Sequence, residues 1–160
     1  DSELVEYAGK CLSWWGKIRD RNERLCRVHG DYHPGNIWFE GDALTLLDRS
    51  RGSWGEAADD VSCLFLNDIH HAIKDTGTFT GSFADLFREF LNSYIEDTED
   101  RGIFEVIQPF FAFRILVIAN PRFYPDDRTE TKRRLLDFGH SVLKTEQFEI
   151  EQITNYIEGK

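Results

Sequence analysis

Eight consecutive residues, His29-Gly30-Asp31-Tyr32-His33-Pro34-Gly35-Asn36, constrain this chain more than any other feature. Two glycines and a proline in so short a run forbid regular structure, so the segment must be a loop. A short apolar stretch at 25–28 leads into it, and two β-prone runs, 37–39 and 44–47, follow around a Gly41-Asp42 turn. That pattern predicts a β-hairpin. An antiparallel pair brings the chain back to its starting end, so Asp48, which leaves the second strand, returns beside Asn36, which enters the first.

Phosphoryl transfer asks little covalent work of a protein. It needs a carboxylate at the attacking hydroxyl and hard oxygen ligands for the magnesium that bridges the phosphates. Asp31 stands in the loop where a carboxylate can accept a hydroxyl proton, and Asn36 and Asp48 supply an amide and a carboxylate oxygen at one end of the hairpin. Magnesium keeps several waters, so two protein ligands suffice. A competing reading takes His29, Asp31 and His33 as an H-x-D-x-H zinc set. The oxygen donors of Asn36 and Asp48 favour magnesium over it.

Beyond this core the pattern is helical. Leu4, Val5, Ala8, Leu12, Trp15 and Ile18 recur at helical spacing over 2–22, with Ser2 as N-cap. Residues 49–55 read as a second loop. Helical periodicity then resumes over 56–74, which places Asp60 in that helix's first turns. Further helices are expected at 83–96, 104–119 (kinked at Pro109), 129–143 and 148–157, separated by Gly77, Gly81, Gly102, Pro121 and Pro125. The expected fold class is mainly α with a small β-hairpin (α+β). No repeat or low-complexity tract appears.

H-G-D-Y-H-P-G-N together with L-T-L-L-D-R-S-R-G-S-W-G-E-A-A-D-D-V resembles the catalytic core of the aminoglycoside phosphotransferase and choline kinase superfamily, whose members share the protein-kinase-like fold. The resemblance implies Asp31 as catalytic base and Asn36 and Asp48 as the metal and cofactor-binding positions. It implies His29 as the histidine that braces the loop. Asp60, twelve residues after Asp48, matches the buried aspartate that accepts hydrogen bonds from the loop backbone. The implied cofactors are ATP and Mg2+. The implied reaction moves the γ-phosphate to a hydroxyl of a small molecule of the aminoglycoside, sugar or amino alcohol class. Protein kinases have Asp-Phe-Gly where this chain has Asp48-Arg49-Ser50, so no kinase-style activation switch is expected.

On this reading residues 1–160 form a single domain, the helical C-terminal lobe of that fold. The catalytic loop and metal site occupy 29–60 and a helical subdomain 61–160. Neither a glycine-rich phosphate loop nor a phosphate-gripping lysine strand precedes Asp31, so the N-terminal nucleotide-clamping lobe is expected to be missing. The opening Asp1-Ser2-Glu3 and the lack of methionine fit a fragment, inactive alone. The face that would meet the lobe should expose apolar groups such as Trp14, Trp15 or Trp38 and favour self-association. The alternative from another class is a catalytically idle kinase-like binding scaffold.

Composition narrows the partners. A net charge of −10 disfavours nucleic acid and suits a cationic acceptor. No run is long enough to span a membrane. Cys11, Cys26 and Cys63 are odd in number and lack C-x-x-C pairing, which points to a reducing, cytoplasmic setting. Several residues keep two readings. His70 and His71 favour packing over chemistry, as Phe104, Phe110, Phe111 and Phe113 favour core over substrate pocket. The turn at 120–126 either touches substrate or caps two helices. Asp126, Asp127, Glu146, Glu149 and Glu151 either line an acceptor site or form a solvated face, and Arg49 and Arg51 pair with phosphate or with Asp59.

Overall fold

The computed structural model describes residues 2–49 and 53–159. Helix α1 (Ser2–Ile18) forms as its periodicity predicts, but it turns a different stripe inward. Tyr7 and Trp14 are buried with Cys11 and Ile18 packed beside them, while Leu4, Val5, Leu12 and Trp15 face solvent. The reason is that α1 is apolar on two sides, and spacing alone cannot rank two stripes. Trp14, expected on the exposed face, is 5% exposed and its indole donates to the Leu143 carbonyl (3.0 Å). Ser2 is the first helical residue rather than the cap.

Strand β1 (Leu25–Arg27) leads into the loop, and the hairpin follows as β2 (Ile37–Glu40) and β3 (Ala43–Leu46), paired antiparallel with Ile37 opposite Leu46. Gly41 turns it at φ 61°, the positive angle that tight two-residue turns require at this position. The expected loop at 49–55 holds a correction. Trp54–Glu56 forms β4, which pairs antiparallel with β1, so the described residues hold two two-stranded sheets rather than one hairpin.

Helix α2 (Ala57–Thr76) starts on the Glu56 side chain, which accepts from the Ala58 N–H (3.4 Å). It is the central helix, packed against α3 (Ser82–Thr98), α4 (Gln108–Ala119) and α5 (Thr129–Val142), with α6 (Ile153–Glu158) on α5 and α1 on α4. Pro109 begins α4 instead of kinking a longer helix, because a first-turn N–H has no intrahelical partner to lose. The preceding 101–105 stretch is a separate 3-10 turn. The predicted helix at 148–157 likewise divides into a 3-10 turn at 150–152 and α6. Phe65, Phe87, Phe111 and Phe138 are fully buried among these helices, each contributing about 1.5–3 kcal/mol of transfer free energy. The core thus lies behind α2 and leaves the loop and both small sheets at one surface.

Candidate functional site

Three elements hold the loop between β1 and β2. From the first turn of α2, Asp60 accepts the backbone N–H of His29 (2.6 Å) and of Gly30 (2.8 Å). Gly30 adopts φ 85°, a conformation that a side chain would strain, and successive N–H groups thereby converge on one carboxylate. From the hairpin side, the His29 ring binds the Leu47 carbonyl through Nε2 (2.7 Å). A carbonyl only accepts, so Nε2 carries the proton, and Nδ1 accepts the N–H of Asp31 (3.3 Å). One buried imidazole therefore ties the backbone of Asp31 to the residue before Asp48.

The third support comes from α4. Arg114 donates through Nη1 to Asp31 Oδ1 (3.0 Å), and through Nη2 to the Gly30 carbonyl (3.1 Å) and Asp59 Oδ1 (2.8 Å). Burial opposes its charge, but Cys63, ionised in the alkaline range where an arginine titrates, and the Asp59 and Asp31 carboxylates outweigh this and raise the guanidinium's pKa. Sequence reasoning missed Arg114. The available signal was its position as the lone charged residue in the apolar helix QPFFAFRILVIA, since a buried charge requires partners.

Asn36 and Asp48 share one end of the hairpin. The Asn36 carbonyl accepts from the Leu47 N–H (2.9 Å), which extends the ladder one rung beyond Ile37 and Leu46. Asn36 Nδ2 donates to the Asp31 carbonyl (2.9 Å), so its donor serves the loop and its Oδ1 remains as an oxygen donor. Asp48 is exposed and takes φ 53°, one of two described non-glycine residues in the left-handed region. The other, Glu99, ends α3. Such a conformation costs on the order of 1 kcal/mol, and strain of this kind collects at functional positions.

His33 serves the loop's own fold. Its Nδ1 accepts from the Gly35 N–H (3.1 Å) and caps the 3-10 turn Pro34–Asn36. With both His29 ring nitrogens engaged as well, His29, Asp31 and His33 do not gather as zinc ligands, and among the described residues no three His, Cys, Asp or Glu do. The oxygen pair of Asn36 and Asp48 fits magnesium, which takes oxygen ligands and completes its shell with water and phosphate. Arg49 donates through Nε to the Val28 carbonyl (3.1 Å), and Asp59 pairs with Arg114; Arg51 lies outside the described residues.

Two open readings close. His70 is buried and bonded to Asp127 (2.5 Å), which also accepts from Lys74 (2.7 Å), so this aspartate anchors the α4–α5 connection to α2 instead of facing an acceptor. Phe111 packs on Phe138 and Phe148 in the core, whereas Phe113 is exposed.

A family model described as "Phosphotransferase enzyme family" matches residues 2–100, from α1 through α3 and the whole of the loop and hairpin. The chain belongs to the phosphotransferase enzyme family. Comparisons with curated proteins and with solved structures return no match. Arg114 lies beyond the matched span, so α4 of this phosphotransferase supports the loop from outside it. No helix among the described residues is long and apolar enough to cross a membrane.

Proposed function

We propose that this phosphotransferase is an ATP- and magnesium-dependent small-molecule kinase that moves the γ-phosphate to a hydroxyl of an aminoglycoside, a sugar or an amino alcohol. The observation that carries the reading is the construction around Asp31. Its backbone N–H, its carbonyl and one carboxylate oxygen are bonded to His29, Asn36 and Arg114 respectively. A carboxylate so fixed orients the acceptor hydroxyl and takes its proton as the oxygen–phosphorus bond forms and the bond to the departing nucleoside diphosphate breaks. Asn36 and Asp48 would hold the magnesium, which supplies charge neutralisation on the transferring phosphate.

The net charge of −10 favours a cationic acceptor, and three unpaired cysteines fit a cytoplasmic setting. A separate nucleotide-clamping lobe is proposed as partner to the hairpin, where Trp38 and Phe39 stand 60% and 67% exposed. Alone, the chain is expected to be inactive.

The test is magnesium-dependent nucleotide consumption by the protein with its clamping lobe, over a panel of hydroxylated amines and sugars. One acceptor should stimulate consumption. Asp31→Asn and Asp48→Ala should each lower the stimulated rate by about 100-fold or more. If no acceptor stimulates and the magnesium nucleotide does not bind, a non-catalytic scaffold replaces the kinase.

A further inference from the structure

A cleft of about 790 Å³ adjoins the catalytic loop on the side of its brace. His29, Tyr32 and Asp60 line it, whereas Asp31, Asn36, Asp48 and Arg114 do not. Its volume lies within the roughly 300–1,000 Å³ of small-molecule sites. Val28, Leu46, Ala57, Val61 and Phe90 give it an apolar wall drawn from the residue after β1 and from β3, α2 and α3.

The polar groups divide into satisfied and unsatisfied. Arg24 donates to both Glu56 oxygens (2.8 and 2.7 Å) and both Asp100 oxygens (2.8 and 2.9 Å), and the Tyr94 hydroxyl donates to Asp100 (2.9 Å). That network is complete and calls for no ligand. Arg27 and Arg49 differ, because neither has an acidic partner among the described residues. Arg49 commits only its Nε, to Val28. Glu23, also at the wall, lies 3.9 Å from Arg21. The charges of the lining balance, Arg24, Arg27 and Arg49 against Glu23, Asp60 and Asp100, but Asp60 and Asp100 already accept from the protein, whereas Arg27 and the two Nη groups of Arg49 keep donors to spare.

We propose that this cleft binds a small amphipathic organic anion, with an aromatic or branched aliphatic body on the apolar wall and a carboxylate or sulfonate headgroup paired with Arg27 and Arg49. The donors left open at the cleft are those of Arg27 and of Arg49 beyond its Nε, and neither a cation nor a neutral apolar molecule would use them. A delocalised anion with several acceptor oxygens matches their forked donors. The cleft shares the bracing residues His29 and Asp60 with the loop but none of Asp31, Asn36 or Asp48, so anion binding there is argued without the phosphotransfer reading.

Cys26 lines the cleft and makes the test site-specific, while Cys11 on α1 lies outside it and serves as internal control. The probe is 8-anilinonaphthalene-1-sulfonate, set beside N-phenyl-1-naphthylamine, which has the same aromatic body without the charge. Iodoacetamide labelling of each cysteine is followed by mass spectrometry at about pH 9, because burial raises the Cys26 thiol pKa, with nearby Glu56, Asp60 and Asp100 adding to it. Saturating sulfonate should slow Cys26 labelling about tenfold and leave Cys11 unchanged. The neutral analogue, and the sulfonate with Arg27→Gln/Arg49→Gln, should each need about ten times more compound for half-protection. Thr98→Trp, which fills the cleft from its exposed rim, should abolish protection by the sulfonate. Both arginines and Thr98 are exposed, so these variants should keep the wild-type circular dichroism. Failure of the sulfonate to protect Cys26 overturns the site. Equal protection by the neutral analogue, or by the sulfonate in the arginine double variant, overturns its anion selectivity.

Discussion

Asp68 shows how much one buried carboxyl weighs. It sits on α2 at 3% exposure with Oδ2 unpartnered, and burial pushes its pKa up to about 7. In the unfolded chain an aspartate ionises near pH ~4, so between about pH 4 and pH 7 the native state retains a proton that the unfolded state releases. Stability from this group therefore falls as pH rises through that window and is level above it. Asp68→Asn removes the penalty and should stabilise the protein by about 2–4 kcal/mol at pH 8, with a much smaller gain at pH 5. Urea denaturation of both proteins at the two pH values checks this. Equal gains at both would mean that Asp68 titrates normally. Asp68 falls at helical spacing on the apolar stripe of α2 with Val61, Phe65 and Ala72, a signal of burial that the sequence reading did not use. The meeting of Asp31, Asn36 and Asp48 was legible because a loop followed by a hairpin constrains where they lie, whereas the bracing positions of His29 and Asp60 came from the family resemblance. Arg114 was not legible, since it reaches Asp31 across 83 residues of chain, a tertiary contact that no local pattern encodes.

At the scale of elements, the longer helices were legible because apolar periodicity over several turns is redundant. The strand β4 was not, because its three residues carry no alternation and it exists only by pairing with Leu25–Arg27, some thirty residues earlier. Helix docking is fixed by single close approaches of the same hidden kind. Tyr7 of α1 donates to the Ala112 carbonyl (3.1 Å), with its hydroxyl end set directly against Gly139 of α5. A Cβ at Gly139 would clash with that hydroxyl end and meet Ile115 Cδ1 at 3.0 Å. Gly139→Ala improves helix propensity but overpacks this contact, and should destabilise the protein by about 1–3 kcal/mol net. Tyr7→Phe removes the hydroxyl, so the double variant should be more stable than the sum of the two single changes predicts. Thermal denaturation of all four proteins reads this coupling, and simple additivity would place the docking elsewhere.

The whole molecule leaves one kind of surface uncovered. Trp38, Phe39 and Trp54 on the small sheets are 60%, 67% and 69% exposed, and Leu12 and Trp15 on α1 are 70% and 57% exposed. Trp38 and Phe39 are neighbours on β2 and so point to opposite faces, which means the β2–β3 hairpin buries neither face. A two-stranded hairpin is marginal in water by itself, and large aromatics held open to solvent mark surfaces that other groups cover. The sequence pattern anticipated aromatic exposure at Trp15 and Trp38 but could not exclude Trp14, because burial is decided by which stripe of α1 meets α4. The isolated chain should therefore self-associate through these aromatics in sedimentation velocity at tens of micromolar protein. Trp38→Ser with Trp54→Ser should weaken association by about 30-fold or more, the loss expected when a large aromatic anchor leaves an interface. A wild-type chain that sediments as a monomer at every concentration would mean that the exposed aromatics are too dispersed to form an interface. The proposed clamping lobe would then have to rely on contacts other than these residues.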